Sequence, residues 1–162
     1  MSTAVVVGNP KPASRTLDAA IRLAARLTGK EPDVVIDVVA LGSGLLAWGD
    51  ADVSAAVAQV QDASTLVVAS PTYKASFTGV LKVFLDQFPA GSLIGSIAFP
   101  LMLGGAWQHA LAPEVFLKPV LTELGASCPA KGLFLLETDY ENPPELDAWL
   151  AGARRFVPAS AP

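Results

Sequence analysis

The feature that most constrains the fold is an alternation of short, wholly apolar runs with segments of helical periodicity. Residues 4–7 and 66–69 are apolar at every position, and each run is too short for a buried helix. The segment after the first run carries apolar side chains three or four residues apart, at Leu17, Ile21, Ala24 and Leu27. Fully apolar strands are typical of parallel sheets covered by helices on both faces. The pattern therefore predicts an α/β fold with a doubly wound, three-layer parallel sheet.

Five strands and five helices are predicted along the chain. The strands are placed at residues 4–7, 34–41, 66–69, 97–103 and about 133–136. The helices are placed at residues 17–27, 51–61, 80–88, 116–124 and about 144–156, with a loop at 42–49. Asp37 interrupts the second strand and predicts an edge position, and Pro100 is unfavourable within the fourth because it cannot donate a ladder hydrogen bond. Right-handed crossovers place a ligand site at the carboxyl edge of such a sheet.

The length and composition predict one domain with a large apolar surface. The chain has 162 residues, of which 52% are hydrophobic and only 16% are charged. This apolar excess is explained by a sheet buried on both faces and by surface covered in an oligomer. We expect a single domain over residues 1–157, followed by a disordered tail at 158–162 that contains two prolines and two alanines.

The charge and the termini argue against several classes of partner and location. Eleven Lys and Arg residues stand against fifteen Asp and Glu residues, for a net charge of −4. That balance predicts no binding of nucleic acid or of an anionic membrane. The single cysteine, Cys128, excludes an internal disulfide and is typical of a reducing compartment. Without a signal-peptide pattern or a long apolar run, we expect a cytoplasmic protein.

The first loop at the predicted carboxyl edge, residues 8–16, has the composition of an anion site. It leads directly into a helix, whose first N–H groups and partial positive charge attract anions. Ser14 and Thr16 add hydroxyls, and Arg15 adds a planar fork suited to a phosphate. The loop has neither a G-x-G-x-x-G turn nor a P-loop ending. The alternative is a simple helix cap by Ser14 or Thr16 with a solvated Arg15.

The second loop, residues 70–79, follows the predicted central strand. It brings small polar groups, backbone amides and the ring of Tyr73 to the carboxyl edge. A flat ring with polar edges would suit such a loop. The alternative is an ordinary turn in which Tyr73 and Phe77 pack against neighbouring helices.

The third loop, residues 104–109, begins with two glycines and ends with the only histidine. Gly104 and Gly105 would let a ligand approach the backbone closely. His109 cannot by itself build a multi-histidine metal site, and Ser70 lacks the context of an elbow serine. We therefore predict no metal site and no catalytic triad.

The loops together are recognisable. The run of residues 70–82, Ser-Pro-Thr-Tyr-Lys-Ala-Ser-Phe-Thr-Gly-Val-Leu-Lys, resembles the flavin loop of NADPH-dependent FMN reductases. The likeness is greatest to the branch that serves two-component alkanesulfonate monooxygenases. Gly104-Gly105, His109 and the segments 117–121 and 124–126 continue the likeness in order, over residues 4 to 137. The resemblance implies a flavodoxin-like fold, FMN as cofactor, NADPH or NADH as hydride donor, and a homodimer or homotetramer.

The resemblance also assigns residues to the cofactor. Ser14, Arg15 and Thr16 would hold the FMN phosphate, and Gly104 and Gly105 would approach the pyrimidine edge of the ring. The residues implied to line the ribityl chain and one side of the isoalloxazine, or to support that turn, are Pro71, Thr72, Tyr73, Lys74 and Ser76. His109 would lie near the nicotinamide. Hydride transfer between two stacked rings needs no catalytic side chain, and none is predicted.

One segment departs from the resemblance. Several two-component reductases carry a Tyr in the fourth helix, inserted as a widened turn that helps the flavin leave. This chain has Glu114-Val115-Phe116 in that place. The alternative to an FMN reductase that supplies a monooxygenase is therefore an enzyme that keeps FMN bound and reduces quinones or azo compounds. A flavodoxin-type electron carrier and a binding module without flavin are the further alternatives.

Overall fold

Five parallel strands form the centre of the computed structural model, which describes residues 2–158. The strands are β1 Thr3–Val7, β2 Val34–Asp37, β3 Thr65–Pro71, β4 Ile97–Gly104 and β5 Leu133–Leu136. Their order in the sheet is β2-β1-β3-β4-β5, and every pairing is parallel. The predicted five-stranded sheet, its central third strand and its edge second strand are confirmed. Of the predicted tail at 158–162, residues 159–162 lie outside the described residues.

Helices connect the strands. They are α1 Arg15–Thr28, α2 Ala51–Gln61, α3 Gly79–Leu85, α4 Lys118–Glu123 and α5 Leu146–Ala153. The 3₁₀ segments are Val38–Leu46, Trp107–His109 and Arg154–Phe156, and a π-helical turn, Pro113–Leu117, leads into α4. Among the helices of residues 2–158, none is long and apolar enough to cross a membrane.

The side chains of the strands alternate between two cores. On one face, Val5 and Phe99 pack with α1 and α5. On the other, Val68 and Met102 pack with α2, α3 and α4. The predicted three-layer arrangement is therefore confirmed, and the carboxyl ends of the strands are left at one edge of the sheet.

α1 is capped as the sequence predicts, but its buried face is rotated. The Ser14 hydroxyl accepts a hydrogen bond from the Leu17 N–H, and Gly29 ends the helix at φ 77°. Leu17 and Ile21 are only partly buried. Thr16, Ala20 and Leu23 face the sheet instead, with Ala19, Ala24 and Leu27. The small alanines allow the helix to approach the sheet closely. Leu23 and Leu27 are buried in this contact, whereas Leu17 and Ile21 lie at its margin.

The second strand is shorter than predicted. β2 ends at Asp37, and the 3₁₀ segment Val38–Leu46 replaces both the rest of the predicted strand and most of the predicted loop. Asp37 is the last β2 residue paired with β1, and its carboxylate accepts a hydrogen bond from the Ala13 N–H. The carboxyl end of β2 is therefore tied to the first loop through the Asp37 side chain.

Pro100 is accommodated inside β4. Ala98 donates its N–H to Ser127 on the β5 side of the strand, and Pro100 faces the same side two residues later. β5 begins to pair with β4 only at Leu133, opposite Leu101. The missing N–H of Pro100 therefore falls where no ladder partner is required.

α3 and α5 are shorter than predicted. α3 ends at Leu85 rather than Phe88. The chain continues in tighter turns, in which the N–H groups of Gln87 and Phe88 donate to carbonyls three residues back. α5 begins at Leu146 rather than Pro144, and its predicted last turn is the 3₁₀ segment Arg154–Phe156.

A widened turn precedes α4 although the segment contains no tyrosine. The Lys118 N–H bonds to the carbonyl of Pro113, five residues back. The extra residue turns Phe116, predicted to be in the core, outward with 44% of its surface exposed, while Leu117 and Leu121 stay buried.

Glu114 ties this turn to the segment before β5. Its carboxylate accepts hydrogen bonds from the Lys118 ammonium at 2.7 Å and from the Gly132 N–H at 2.7 Å. Burial by itself would raise the pKa of Glu114, but these two donors hold that pKa below its usual value. Charge-assisted hydrogen bonds of this kind are stronger than neutral ones. The Glu114 side chain therefore holds the widened turn both to Lys118 at the start of α4 and to Gly132 before β5.

Candidate active site

Hydrogen bonds join the three predicted loops at the carboxyl edge of the sheet. The Thr78 hydroxyl donates to the Gly8 carbonyl at 2.6 Å, linking the second loop to the first. The Thr72 N–H donates to the Leu103 carbonyl at 2.6 Å, linking the second loop to the end of β4. The first two loops follow β1 and β3, adjacent strands from which the chain proceeds in opposite directions. In flavodoxin-like sheets such a switch point forms a ligand crevice.

The first loop is ordered by its own side chains. Asn9 donates from its amide to the Thr16 hydroxyl at 3.1 Å and accepts from the Lys11 N–H at 2.9 Å. Ala13 lies in the left-handed region at φ 49°, and its N–H donates to Asp37 at 3.2 Å. The loop therefore enters α1 in a fixed conformation.

Asp37, the last residue of β2, contacts this loop and was not assigned a role by the sequence analysis. Burial raises the pKa of Asp37, and one of its carboxylate oxygens is buried without a hydrogen-bond partner among the described residues. An acidic residue in an otherwise apolar strand was the available signal. Its contact with Ala13 indicates that it positions the loop.

A cavity of about 250 Å³ opens above the start of α1. Its lining residues are Asn9, Lys11, Ala13, Ser14, Arg15, Thr16, Pro71, Tyr73, Leu103 and Glu137. Two cations, Lys11 and Arg15, stand against one carboxylate, Glu137, and the helix N-terminus adds partial positive charge. The lining of the cavity therefore carries more positive than negative charge, with Glu137 as its one carboxylate.

The second loop contains a tight turn in a strained conformation. Tyr73 and Ser76 bond to each other through their backbones at 2.9 and 3.1 Å. Lys74 and Ala75 between them have φ values of 51° and 66°, which non-glycine residues rarely adopt. The turn leaves Tyr73 at the mouth of the cavity with 51% of its surface exposed, so the alternative that its ring packs against helices is not favoured. Phe77, the other aromatic residue of that alternative, is partly buried against the core that contains α3.

The strain in this turn makes a stability prediction. We expect Ala75→Gly to stabilise the fold by about 0.5–1 kcal/mol, because glycine adopts positive φ without a steric penalty. The same exchange at Ala58, an exposed position within α2, is expected to destabilise by about 1 kcal/mol. Urea unfolding of both variants measures the two effects, and a loss of stability in Ala75→Gly would contradict the assigned turn.

Ser70 has a structural role. Its hydroxyl donates to the Pro71 carbonyl at 2.8 Å and accepts from the Thr78 N–H at 3.0 Å. The side chain is wholly buried. It holds the second loop together and is not presented to a ligand.

The two glycines of the third loop differ in their surroundings. A Cβ on Gly104 would lie 2.7 Å from the Phe134 ring and 3.2 Å from the Thr72 hydroxyl. That hydroxyl is buried and has no hydrogen-bond partner among the described residues. A Cβ on Gly105 would meet nothing within 4 Å. Gly104 is therefore required by the protein's own packing, whereas Gly105 faces open space.

The end of the third loop is partly exposed. One ring nitrogen of His109 lies 3.2 Å from the Gln108 amide nitrogen. Trp107 is 51% exposed and packs on Phe134 with ring centroids 5.8 Å apart. The sequence analysis assigned no role to Trp107, although an aromatic residue two positions after a pair of glycines was a usable signal.

The predicted site residues fall into two groups. Those that line the cavity are Ser14, Arg15, Thr16, Pro71 and Tyr73. Thr72, Lys74, Ser76, Gly104, Gly105 and His109 lie outside the lining, on the second and third loops. Five lining residues were not among the predicted site residues: Asn9, Lys11, Ala13, Leu103 and Glu137.

The family of the chain is identified by its similarity to known sequences. The sequence profile described as NADPH-dependent FMN reductase matches residues 1–141. The chain belongs to this family. Its resemblance to these reductases, predicted from the loops, is confirmed.

Curated relatives carry the same description. The chain is 41% identical over 90 residues to the FMN reductase (NADPH) of Escherichia coli strain K12. The aligned region covers 54% of this chain and 47% of that protein. It is 28% identical over 135 residues to the NADH-dependent FMN reductase SfnF of Pseudomonas fluorescens strain Pf0-1, covering 78% and 72%. The match to the first of these spans only about half of that relative's length.

Solved structures of other proteins share the fold. The NADH:FMN oxidoreductase EMOB in its apo form matches with a TM-score of 0.88 and 31% identity, over 99% of this chain and 91% of that chain. An oxidoreductase from Corynebacterium diphtheriae matches with a TM-score of 0.75 and 23% identity, over 96% and 92%. The flavodoxin-like fold predicted from the resemblance is confirmed.

Proposed function

We propose that the chain is an NAD(P)H-dependent FMN reductase that binds FMN at the carboxyl edge of the sheet. The observation that carries the proposal is the cationic cavity at the start of α1, placed at the switch point between β1 and β3 beside an exposed aromatic turn. Residues 1–157 form the flavin-binding domain in this proposal.

The residues present fit the cofactor. Ser14, Arg15 and Thr16 hold the phosphate, with Lys11 adding a second cation. A cavity of about 250 Å³ is smaller than a typical pocket for a whole cofactor, so the cavity takes the phosphate end and the ring lies at its mouth. There the buried, unpartnered Thr72 hydroxyl and the open backbone at Gly105 offer polar contacts to the edge of a flat ring.

The other loop residues orient the ring. Pro71, Tyr73 and Lys74 would line the ribityl chain and one side of the ring. Ser76 would support the turn, and His109 would lie near the nicotinamide. When bound, FMN supplies the hydride-accepting chemistry. The chain would supply binding, orientation and exclusion of water from the stacked rings, and the backbone at Gly104 and Gly105 would lie at the pyrimidine edge of the ring.

Gly105→Ala tests the placement of the ring. We expect FMN affinity to fall about tenfold, because the added methyl group occupies the space of the pyrimidine edge, while thermal stability is unchanged. Gly104→Ala is the contrasting variant: it is expected to lower thermal stability, because its Cβ meets the Phe134 ring. FMN titration and thermal unfolding measure both. Unchanged FMN affinity in Gly105→Ala would remove this loop from the site.

The oligomeric state, the cellular location and the electron-transfer partner are also part of the proposal. We propose a cytoplasmic homodimer or homotetramer, because partly buried apolar side chains such as Val80 and Val83 on α3 remain to be covered. The NADH-dependent reductases named SfnF are relatives, and the reduced flavin is proposed to supply a flavin-dependent monooxygenase. Among the relatives, the names are divided between NADPH and NADH, and either nucleotide is a proposed substrate.

The deciding experiment is NADPH and NADH oxidation by the purified protein with and without free FMN, followed at the nicotinamide absorbance band. Turnover that requires free FMN and saturates with it supports a reductase that releases its product. A yellow protein that turns over only with an added quinone or azo acceptor supports the bound-flavin alternative. A folded protein without FMN affinity would refute the proposal.

A further inference from the structure

The cavity at the start of α1 contains an ion pair that the proposed function does not use. The Arg15 guanidinium donates to the Glu137 carboxylate at 3.0 Å and to the Glu137 carbonyl at 3.3 Å. Both side chains line the cavity. They are 60% and 33% exposed, so the pair is reachable by solvent and by a ligand.

We propose that Glu137 is an internal counter-charge that weakens binding of the flavin 5′-phosphate and favours release of the flavin. The inference rests on the proposed function of the same cavity. It assigns Glu137 a role opposite to that of its neighbours: they attract the phosphate, and Glu137 opposes it.

Electrostatics gives the direction of the effect. A phosphate monoester carries close to two negative charges at neutral pH, and the Glu137 carboxylate lies in the same cavity. The phosphate and the carboxylate both draw on Arg15, so binding the first weakens the contact of Arg15 with the second. Lys11 is the other cation of the lining, and it does not remove the repulsion between the two anions.

Glutamine at position 137 isolates the charge from the shape. It keeps a side-chain oxygen that accepts from Arg15, and the contact from Arg15 to the backbone carbonyl of residue 137 does not depend on the side chain. Glu137→Gln therefore leaves Arg15 in place and removes only the negative charge. If Glu137 served merely to position Arg15, this substitution would leave FMN binding unchanged or weaken it.

The test compares two flavins on three proteins. FMN and riboflavin, which lacks the phosphate, are titrated into the wild-type protein, Glu137→Gln and Asp139→Asn, with flavin fluorescence as the readout. Asp139 is exposed and lies outside the cavity lining, so its variant changes the net charge by the same amount. We expect Glu137→Gln to bind FMN about three- to fivefold more tightly, with riboflavin affinity unchanged, and Asp139→Asn to match the wild type.

Each other outcome refutes the inference. Unchanged or weaker FMN binding in Glu137→Gln makes the residue a positioning group for Arg15. An equal gain for riboflavin identifies a change of packing, and an equal gain in Asp139→Asn identifies a general charge effect. If the folded wild-type protein does not bind FMN, the proposed function is refuted as well. If the wild-type protein binds FMN and oxidises the nucleotide in an FMN-dependent reaction, the proposed function stands even when the Glu137→Gln result fails.

Discussion

Arg15→Ala is expected to weaken FMN binding by roughly 1.5–3 kcal/mol, or about 10- to 100-fold in Kd. Arg15 opens α1 and lines the cavity with the only guanidinium found there among the described residues. Its removal takes away a charged contact to the phosphate. It also leaves the Glu137 carboxylate in the cavity without its cation, which adds repulsion to the loss.

The effect should be confined to phosphate binding. Because 60% of the Arg15 side chain is exposed, we expect thermal unfolding to be almost unchanged. Arg22→Ala is a matched control: Arg22 lies on the same helix and pairs with Asp18 at 2.7 Å, outside the cavity. Fluorescence titration with FMN measures both variants. Equal Kd values for Arg15→Ala and the wild-type protein would mean that the phosphate lies elsewhere.

The sheet was predictable from the sequence because its signal is local. Runs such as 4–7 and 66–69 are apolar at every position, and only a strand buried on both faces accounts for them at that length. The boundaries were less predictable where long-range contacts set them. At the end of β2, the Asp37 carboxylate accepts a hydrogen bond from Ala13, 24 residues away in sequence, and the residues around Asp37 do not reveal that partner.

The same distinction applies to the site. The residues of the first loop are contiguous in sequence, and so are those of the second. The hydroxyls, the cation and the aromatic ring could therefore be assigned to two ligand-binding loops from the sequence alone. Glu137 could not, because it reaches Arg15 across 122 residues of sequence. The widened turn at Pro113–Leu117 was also missed: its apolar spacing looks like that of an ordinary helix, and its conformation depends on the contact of Glu114 with Gly132.

Gly8→Ala is expected to be the most damaging of the substitutions considered, with a loss of at least about 3 kcal/mol in the free energy of unfolding. Gly8 directly follows β1 and packs against Leu81 in the first turn of α3. A Cβ there would lie 2.2 Å from the Cβ and 2.6 Å from the Cα of Leu81. Backbone cannot yield as a flexible side chain does, so α3 would have to move away from the sheet.

A displacement of α3 would also reach the site. Thr78 caps α3 and donates to the Gly8 carbonyl, so the second loop and the first would separate and FMN affinity would fall with stability. Gly79→Ala is the control, because a Cβ at Gly79, the first residue of α3, meets nothing within 4 Å; its unfolding free energy should stay within about 0.5 kcal/mol of wild type. Urea unfolding compares the two. If Gly8→Ala is as stable as Gly79→Ala, then β1 and α3 lie farther apart than the distances between position 8 and Leu81 imply. Glycine at position 8 would then serve ligand binding rather than packing.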